Sequence, residues 1–161
     1  MRPVDTLRTF IAFAVLVFLH YSLRPFLGWR LSPDFLLVAV VVASVRVRPG
    51  TAALIGLLVG IVSDAIGTDP FGAAALGFSV VGFGASWLQQ VVFADDLMVN
   101  FTLFFFGEWV FSLIFLLVTR TSASPIIAPL FVWAPIRAGI TAIFGVVVLT
   151  ILRPILKPVD A

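Results

Sequence analysis

Residues 56–72 read GLLVGIVSDAIGTDPFG and place one carboxylate, Asp64, inside an apolar run. Gly56, Gly60 and Asp64 recur at intervals of four residues, so that in a helix they share one face. Small residues at this spacing allow the backbones of two helices to approach closely in lipid. The stretch therefore predicts an α-helix whose Gly56–Asp64 face contacts protein and not lipid.

The composition of the whole chain is that of an integral membrane protein. Of its 161 residues, 61% are hydrophobic and 11% are charged, and the mean hydropathy is +1.20. A soluble globular domain carries about 25% charged residues. Each apolar run is followed within a few residues by the next, so residues 1–161 are predicted to form a single transmembrane domain.

The apolar runs predict an all-α protein of about six transmembrane helices in one bundle. The runs are Leu7–Leu23, Phe35–Val45, Ala52–Ile66, Phe71–Phe93, Leu97–Val118 and Pro135–Leu152. The second and third are shorter than the roughly 20 residues that a bilayer normally needs. The link Thr121–Pro135 contains three prolines, which should resist continuous helix, and it is predicted to be an interfacial loop.

A second acid, Asp34, opens the second span and is predicted to lie at the level of Asp64. The two spans are joined by the turn at residues 46–50, and the two acids are about equally far from it along their helices. Two neighbouring carboxylates need cationic partners to stay ionised in a membrane. The cations predicted at this level are Arg24, Arg30 and Arg137. An equally good interpretation of Asp34, which follows Pro33, is a helix N-cap.

Glu108 lies near the middle of the fifth span. An unpaired charge there costs roughly 2.5 to 3.5 kcal/mol or more, so this residue is expected to be protonated, paired or facing a cavity. Internal hydrogen bonding is the favoured interpretation. A role in binding a partner or a substrate is the alternative, because acids inside a membrane are candidates for function.

The residue inventory argues against several functional classes. The chain has no cysteine and one histidine, His20, so it offers no thiol nucleophile and no histidine-rich metal site. Its ten basic residues are scattered, which gives nucleic-acid binding little support. No phosphate loop, metal set or nucleophile–base pair is recognisable. The sequence therefore predicts a protein that is not an enzyme and that carries no cofactor.

The order of several motifs resembles the signature region of the MreD family, the rod shape-determining membrane proteins of bacteria. Pro33-Asp34 is followed by a short basic turn, and then by Gly56, Gly60, Asp64, Gly67, Pro70 and Gly72. The length and the number of apolar runs also agree over essentially the whole chain. One departure is Ala73-Ala74-Ala75, where many members carry a histidine soon after the last glycine. A role of that imidazole cannot be transferred to this chain.

The resemblance implies a non-enzymatic part of the cell-elongation machinery in the bacterial inner membrane. MreD-like proteins are thought to bind MreC, a single-span protein, and to act with MreB, RodA and the transpeptidase partner of RodA. Together these proteins direct peptidoglycan synthesis along the side wall. For this chain, the resemblance and the small residues predict partner-binding or structural roles for Asp34, the residues from Gly56 to Gly72 named above, Gly77, Glu108 and Arg137.

A second function stays open because the MreD family is also similar in fold to the substrate-binding subunits of energy-coupling-factor transporters. In that alternative the chain is a subunit that binds a small, vitamin-like molecule in an internal cavity. The candidate lining residues are Asn100, Thr102, Glu108, Trp109, Gln89 and Gln90. Fold alone does not decide between the two functions. Polar residues are few and dispersed, which favours the scaffold.

We predict that both termini are cytoplasmic. The inner side then carries Arg2, Arg8, Arg46, Arg48, Arg153 and Lys157, whereas the outer side carries Arg24, Arg30, Arg120 and Arg137. This excess of basic residues on the inner side sets the orientation of a membrane protein. Fused after Ala161, a reporter that works only in the cytoplasm should be active, and a reporter that works only in the periplasm should be inactive. Activity of the periplasmic form would mean an odd number of spans or reversed insertion.

Overall fold

The structure, a computed structural model, describes residues 11, 13–22, 33–67, 70–91, 97–119 and 129–156, and the only regular secondary structure in these residues is helix. We number its α-helices α1 to α6. They are α1 (Phe13–Ser22), α2 (Phe35–Ser44), α3 (Pro49–Ile66), α4 (Ala73–Val91), α5 (Leu97–Thr119) and α6 (Ala134–Leu156). A single π-helical segment, Pro129–Trp133, leads directly into α6.

Each of the six predicted apolar runs overlaps one of these α-helices, which confirms the all-α fold class. Three helical segments of the described chain are long and apolar enough to cross a membrane: Pro49–Ile66, Leu97–Thr119 and Pro129–Ile151. Helix α2 has 10 residues, which corresponds to about 15 Å, or half of a hydrocarbon core. The prediction that this second run spans the bilayer as a helix is therefore not met.

Helix α2 lies at the centre of the bundle. Every residue from Phe35 to Val42 is buried, and α2 contacts α3, α4, α5 and α6. Its sequence explains this position, because FLLVAVVVAS is apolar on all sides and a helix of that kind is stable only when it is enclosed. The helix begins at Asp34, whose side chain accepts hydrogen bonds from the backbone N–H groups of Leu36 and Leu37.

Helices α3 and α4 form an antiparallel pair with very close backbone contact. A Cβ atom built on Gly56 would clash with the carbonyl oxygen of Phe78, and one built on Gly60 would clash with the backbone of Ala75. Farther along, a Cβ on Gly82 would lie 2.6 Å from the carbonyl oxygen of Ala52. Because glycine has no side chain, the two helices can approach closely at these positions.

The opposite face of α3 carries large apolar side chains. Leu54, Leu58 and Val62 also recur every four residues, and their exposed fractions are 59%, 63% and 56%. A helix that faces lipid on one side and a neighbouring helix on the other is expected to carry large apolar residues on the first face and small residues on the second. The exposed aliphatic face is therefore consistent with a membrane protein.

The last helical segment begins earlier than the sequence predicts. Residues 129–133 were expected to lie in a proline-rich loop, but they form the π-helix that continues into α6. Proline is compatible with the first turn of a helix, where its missing N–H would have no intrahelical partner. Pro129 occupies such a position at the start of the π-helix, and Pro135 is the second residue of α6, just after the π-helical segment.

We predict that Gly60→Ala destabilises the protein, because the added Cβ would clash with the backbone of Ala75. Overpacking of this kind costs roughly 1 to 3 kcal/mol. The matched control is Gly139→Ala in α6, where a Cβ would meet no atom within 4 Å. Thermal unfolding in detergent should show a lower midpoint for Gly60→Ala than for the wild type, and an unchanged midpoint for Gly139→Ala. Equal midpoints would contradict the close approach of α3 and α4.

Candidate polar anchors and functional site

Asp64 is buried near the end of α3, where it accepts hydrogen bonds from the beginning of α4. Its Oδ2 accepts from the backbone N–H groups of Gly72 at 2.9 Å and Ala75 at 3.0 Å, and its Oδ1 accepts from Ala74 at 3.0 Å. The first N–H groups of a helix have no intrahelical acceptor, and a negative charge there is favoured by the helix dipole. Asp64 therefore acts as an N-cap supplied by the preceding helix.

The signature residues Gly67, Pro70 and Gly72 build the connection that brings α4 to Asp64. Gly67 ends α3, and its N–H donates to the carbonyl of Ser63. The carbonyl of Pro70 accepts from Ala73 at 3.3 Å. Gly72 has a φ of +101°, which only glycine adopts readily. The backbone of Gly72 thus turns so that its own N–H reaches the Asp64 carboxylate.

These contacts give Asp64 partners that the sequence did not predict. A cation at its level was predicted; among the described residues, the Asp64 carboxylate accepts hydrogen bonds from backbone N–H groups. Of the three arginines proposed, Arg24 and Arg30 lie outside the described residues, and Arg137 contacts other carboxylates. Several hydrogen bonds from backbone N–H groups stabilise an ionised carboxylate as a cation does.

Asp34 belongs to a second polar cluster, which we call the α2 anchor and define as His20, Asp34, Glu108, Arg137 and Thr141. Asp34 Oδ1 accepts from Leu36 and Leu37 at 3.0 and 3.1 Å, in agreement with the N-cap interpretation. Its backbone N–H donates to Oγ1 of Thr141 at 3.1 Å. His20 Nδ1 lies 3.5 Å from Asp34 Oδ1. The anchor thus fixes the beginning of α2 against α1 and α6.

Glu108 and Arg137 form the ion pair of the α2 anchor. Oε1 of Glu108 lies 2.7 Å from Nε and 2.6 Å from Nη2 of Arg137. The Glu108 side chain is fully buried, and Nη2 of Arg137 is also 3.9 Å from Oδ2 of Asp34. The pair joins α5 to α6 and removes the isolated charge that the sequence placed in the fifth span.

The charges of the α2 anchor are not balanced by Arg137 alone. Two carboxylates, Asp34 and Glu108, lie beside one guanidinium, and His20 contributes a positive charge only when it is protonated. Oε2 of Glu108 is buried and makes no hydrogen bond within the residues that the structure describes. The cluster is therefore rich in hydrogen-bond acceptors and neutral or negative in total.

The other small residue predicted for partner binding, Gly77, is used inside the bundle. A Cβ on Gly77 would lie 2.7 Å from the ring of Phe111, and that ring stacks on Phe78 with centroids 4.4 Å apart. Gly56 and Gly60 are likewise covered by α4. The faces of these three glycines are therefore occupied by the chain itself.

The polar residues proposed as a cavity lining do not converge on one site. Thr102 Oγ1 donates to the carbonyl of Met98 on its own helix, and Nε1 of Trp109 donates to the carbonyl of Leu130 at 3.4 Å. Glu108 is paired with Arg137, and Asn100 is buried. Gln89 and Gln90 lie in the last turn of α4. Across the described ranges, no three His, Cys, Asp or Glu side chains are grouped for a metal ion.

Sequence reasoning missed Thr141 and the backbone N–H groups of Ala74 and Ala75 as members of these sites. Ser86 was also missed, although its hydroxyl donates to the carbonyl of Val47 at 2.6 Å and joins α4 to the α2–α3 turn. The signal for Thr141 is its place four residues after Arg137, on the same face of α6. No side-chain pattern points to a backbone donor.

Nearly the whole chain matches one protein family. The model of the family described as rod shape-determining protein MreD matches residues 4–157. The chain belongs to the MreD family. Because MreD proteins are shape-determining membrane proteins, this MreD chain has a role in rod shape determination. Members of the family are not known as enzymes. Neither a curated protein nor a solved structure matches it, so the likeness to energy-coupling-factor subunits stays a prediction.

We predict that the Glu108–Arg137 pair is strongly coupled energetically. Arg137→Gln leaves the Glu108 carboxylate without its cation, which costs roughly 3 to 5 kcal/mol, whereas Glu108→Gln costs less because the guanidinium still lies near Asp34. Glu108→Gln and Arg137→Gln should each lower the unfolding free energy measured by detergent titration. The double variant should lose less than the sum of the two, with a difference of roughly 1 to 3 kcal/mol.

The control for this cycle is Thr150→Val, at an exposed residue whose hydroxyl donates within α6 to the carbonyl of Val146. Paired with either Gln variant, it should give additive losses. Additive losses for Glu108→Gln and Arg137→Gln themselves would show that the two side chains do not interact in the folded protein.

Proposed function

We propose that this MreD chain is a non-enzymatic scaffold of the bacterial cell-elongation machinery. In this role it binds an MreC-like single-span protein in the inner membrane and acts with MreB, RodA and the transpeptidase partner of RodA. It thereby helps to direct peptidoglycan synthesis along the side wall, with both termini in the cytoplasm. The family match over residues 4–157 is the observation that carries this proposal.

The contacts of the buried acids support a scaffold function. Asp64 accepts hydrogen bonds from the N-terminus of α4, and Glu108 forms an ion pair with Arg137, so both buried acids connect helices. A catalytic acid or base must reach a reacting group of the substrate. Both acids instead have structural partners, which is the arrangement expected when the outer surface of the bundle carries the function.

The partner surface that we propose is an apolar groove of about 530 Å³ between α4 and α5. One wall contains Val80, Gly84 and Leu88, and the other contains Phe106 and Gly107. The chain itself does not cover Gly84, since a Cβ there would meet no atom within 4 Å. In a membrane, helices associate where small residues permit close packing.

The length of the groove fits a helix of the partner. Val80 to Leu88 and Thr102 to Val110 are nine residues each, or about 12 Å from the first to the last along their helices. A contact of two helical turns at Gly84 would bring the partner backbone against α4, while Phe106, which is 52% exposed, would pack beside it. We therefore assign the MreC-like transmembrane helix to this groove.

We predict that Gly84→Leu weakens recovery of the MreC-like partner in a detergent pull-down. The new side chain would fill the groove without an internal clash, because the space around Gly84 is open. Recovery should fall about fivefold, which corresponds to roughly 1 kcal/mol. Gly139→Leu in α6 is the matched control, since its surroundings are also open. It should leave recovery unchanged.

Three outcomes separate the possibilities. Equal recovery with Gly84→Leu and Gly139→Leu would refute the groove but not the scaffold. Absence of any MreC-like protein from the wild-type pull-down would refute the scaffold. Stoichiometric recovery of a vitamin-like molecule with the purified chain would instead support the alternative, a substrate-binding subunit of a membrane transporter.

A further inference from the structure

A second pocket, of about 410 Å³, lies between α5 and the segment that runs from the π-helix into α6. Its α5 wall contains Phe111, Ser112 and Phe115, and the facing wall contains Leu130, Trp133 and Arg137. This volume is within the range of small-molecule pockets, which are mainly apolar and carry a few polar groups that orient the ligand. The pocket shares no lining residue with the α4–α5 groove.

Arg137 supplies hydrogen-bond donors to this pocket. A guanidinium has five N–H donors, and the bonds of Arg137 to Glu108 use Nε and Nη2. Nη1 makes no hydrogen bond to any residue that the structure describes. The Arg137 side chain is 33% exposed and lines the pocket, so the unused donors are available to a ligand there.

The charge around Arg137 decides which acceptor fits. Its guanidinium already lies 2.6 Å from a carboxylate oxygen of Glu108 and 3.9 Å from one of Asp34. An anionic ligand would add a third negative charge beside one arginine, where the low dielectric constant strengthens repulsion. An uncharged acceptor, such as an ester carbonyl or a hydroxyl group, satisfies the free N–H groups without that repulsion.

The remaining walls fit an apolar chain. Pro129, at the start of the π-helix, is eight residues before Arg137, so the facing wall extends up to about 12 Å along this helical segment. Phe111, Phe115, Leu130 and Trp133 present apolar surface along this distance. The π-helix shapes the wall, and segments of this kind occur frequently at functional sites.

We propose that this pocket binds a neutral amphiphile, with an uncharged carbonyl or hydroxyl group on Arg137 and an acyl chain along the aromatic walls. A monoacylglycerol has this chemistry. Its head group accepts hydrogen bonds from Nη1 of Arg137, and Ser112 provides a hydroxyl in the opposite wall. Its chain extends toward Pro129, between α5 and the π-helix.

The test uses the purified full chain in detergent and a monoacylglycerol with a dibrominated acyl chain. Bromine quenches tryptophan fluorescence at short range, and Trp133 is part of the pocket wall. Two further probes carry the same brominated chain: a phosphate monoester, which is anionic, and a hydrocarbon without a head group. The monoacylglycerol should quench saturably, at about tenfold lower concentration than either probe, because it alone gains an unopposed hydrogen bond to a charged donor.

The variant for this test is Ser112→Phe, which fills the pocket from the α5 wall. It should raise the half-quenching concentration of the monoacylglycerol about tenfold. Its matched control is Leu117→Phe, at a residue of α5 that is 57% exposed and does not line the pocket. Leu117→Phe should quench as the wild type does.

Three results would overturn the proposal. Identical quenching of the wild type and a folded Ser112→Phe variant would show that the probe contacts tryptophans elsewhere on the surface. Tighter binding of the phosphate monoester would show that the pocket selects an anion. Equal binding of the hydrocarbon and the monoacylglycerol would show that Arg137 makes no contact with the head group. The comparison of head groups on the wild-type chain applies even if Ser112→Phe does not fold.

Discussion

The hydrogen bonds from the N-terminus of α4 to the Asp64 carboxylate are the constraint on which the α3–α4 pair depends. In hydrocarbon, no water is available for the first N–H groups of a helix, so the chain itself must supply acceptors. Asp64 does so for Gly72, Ala74 and Ala75. This contact requires the two backbones to be close, which explains why Gly60 and Ala75 meet where larger side chains would keep the helices apart.

The α2 anchor solves the same problem at another helix end. Helix α2 begins inside the bundle, and its first N–H groups are satisfied by Asp34, its own N-cap residue. Thr141 accepts from the Asp34 backbone, while Arg137 joins the Asp34 and Glu108 carboxylates. A short, almost fully buried helix can therefore occupy the centre of a membrane bundle, because the backbone N–H groups of Asp34, Leu36 and Leu37 at its start have acceptors from another helix or from its own cap.

Sequence reasoning predicted the helices better than it predicted the contacts of the acids. The apolar runs are long, and the four-residue period of Gly56, Gly60 and Asp64 is visible in the sequence, so the helices and the inward face of α3 could be predicted. The donors to Asp64 could not, because they are backbone groups that any residue provides. The enclosed position of α2 also required the structure, since an apolar run alone does not distinguish a short buried helix from a bilayer span.

The residues that carry the resemblance to MreD proteins thus build one structural unit, in which Asp64 receives the turn formed by Gly67, Pro70 and Gly72. Amide hydrogen exchange of the chain in detergent micelles, read at single residues by NMR, tests this account most directly. We predict that the N–H groups of Ala74 and Ala75 exchange slowly in the wild type and much faster in Asp64→Ala. Fast exchange of both groups in the folded wild type would contradict the account.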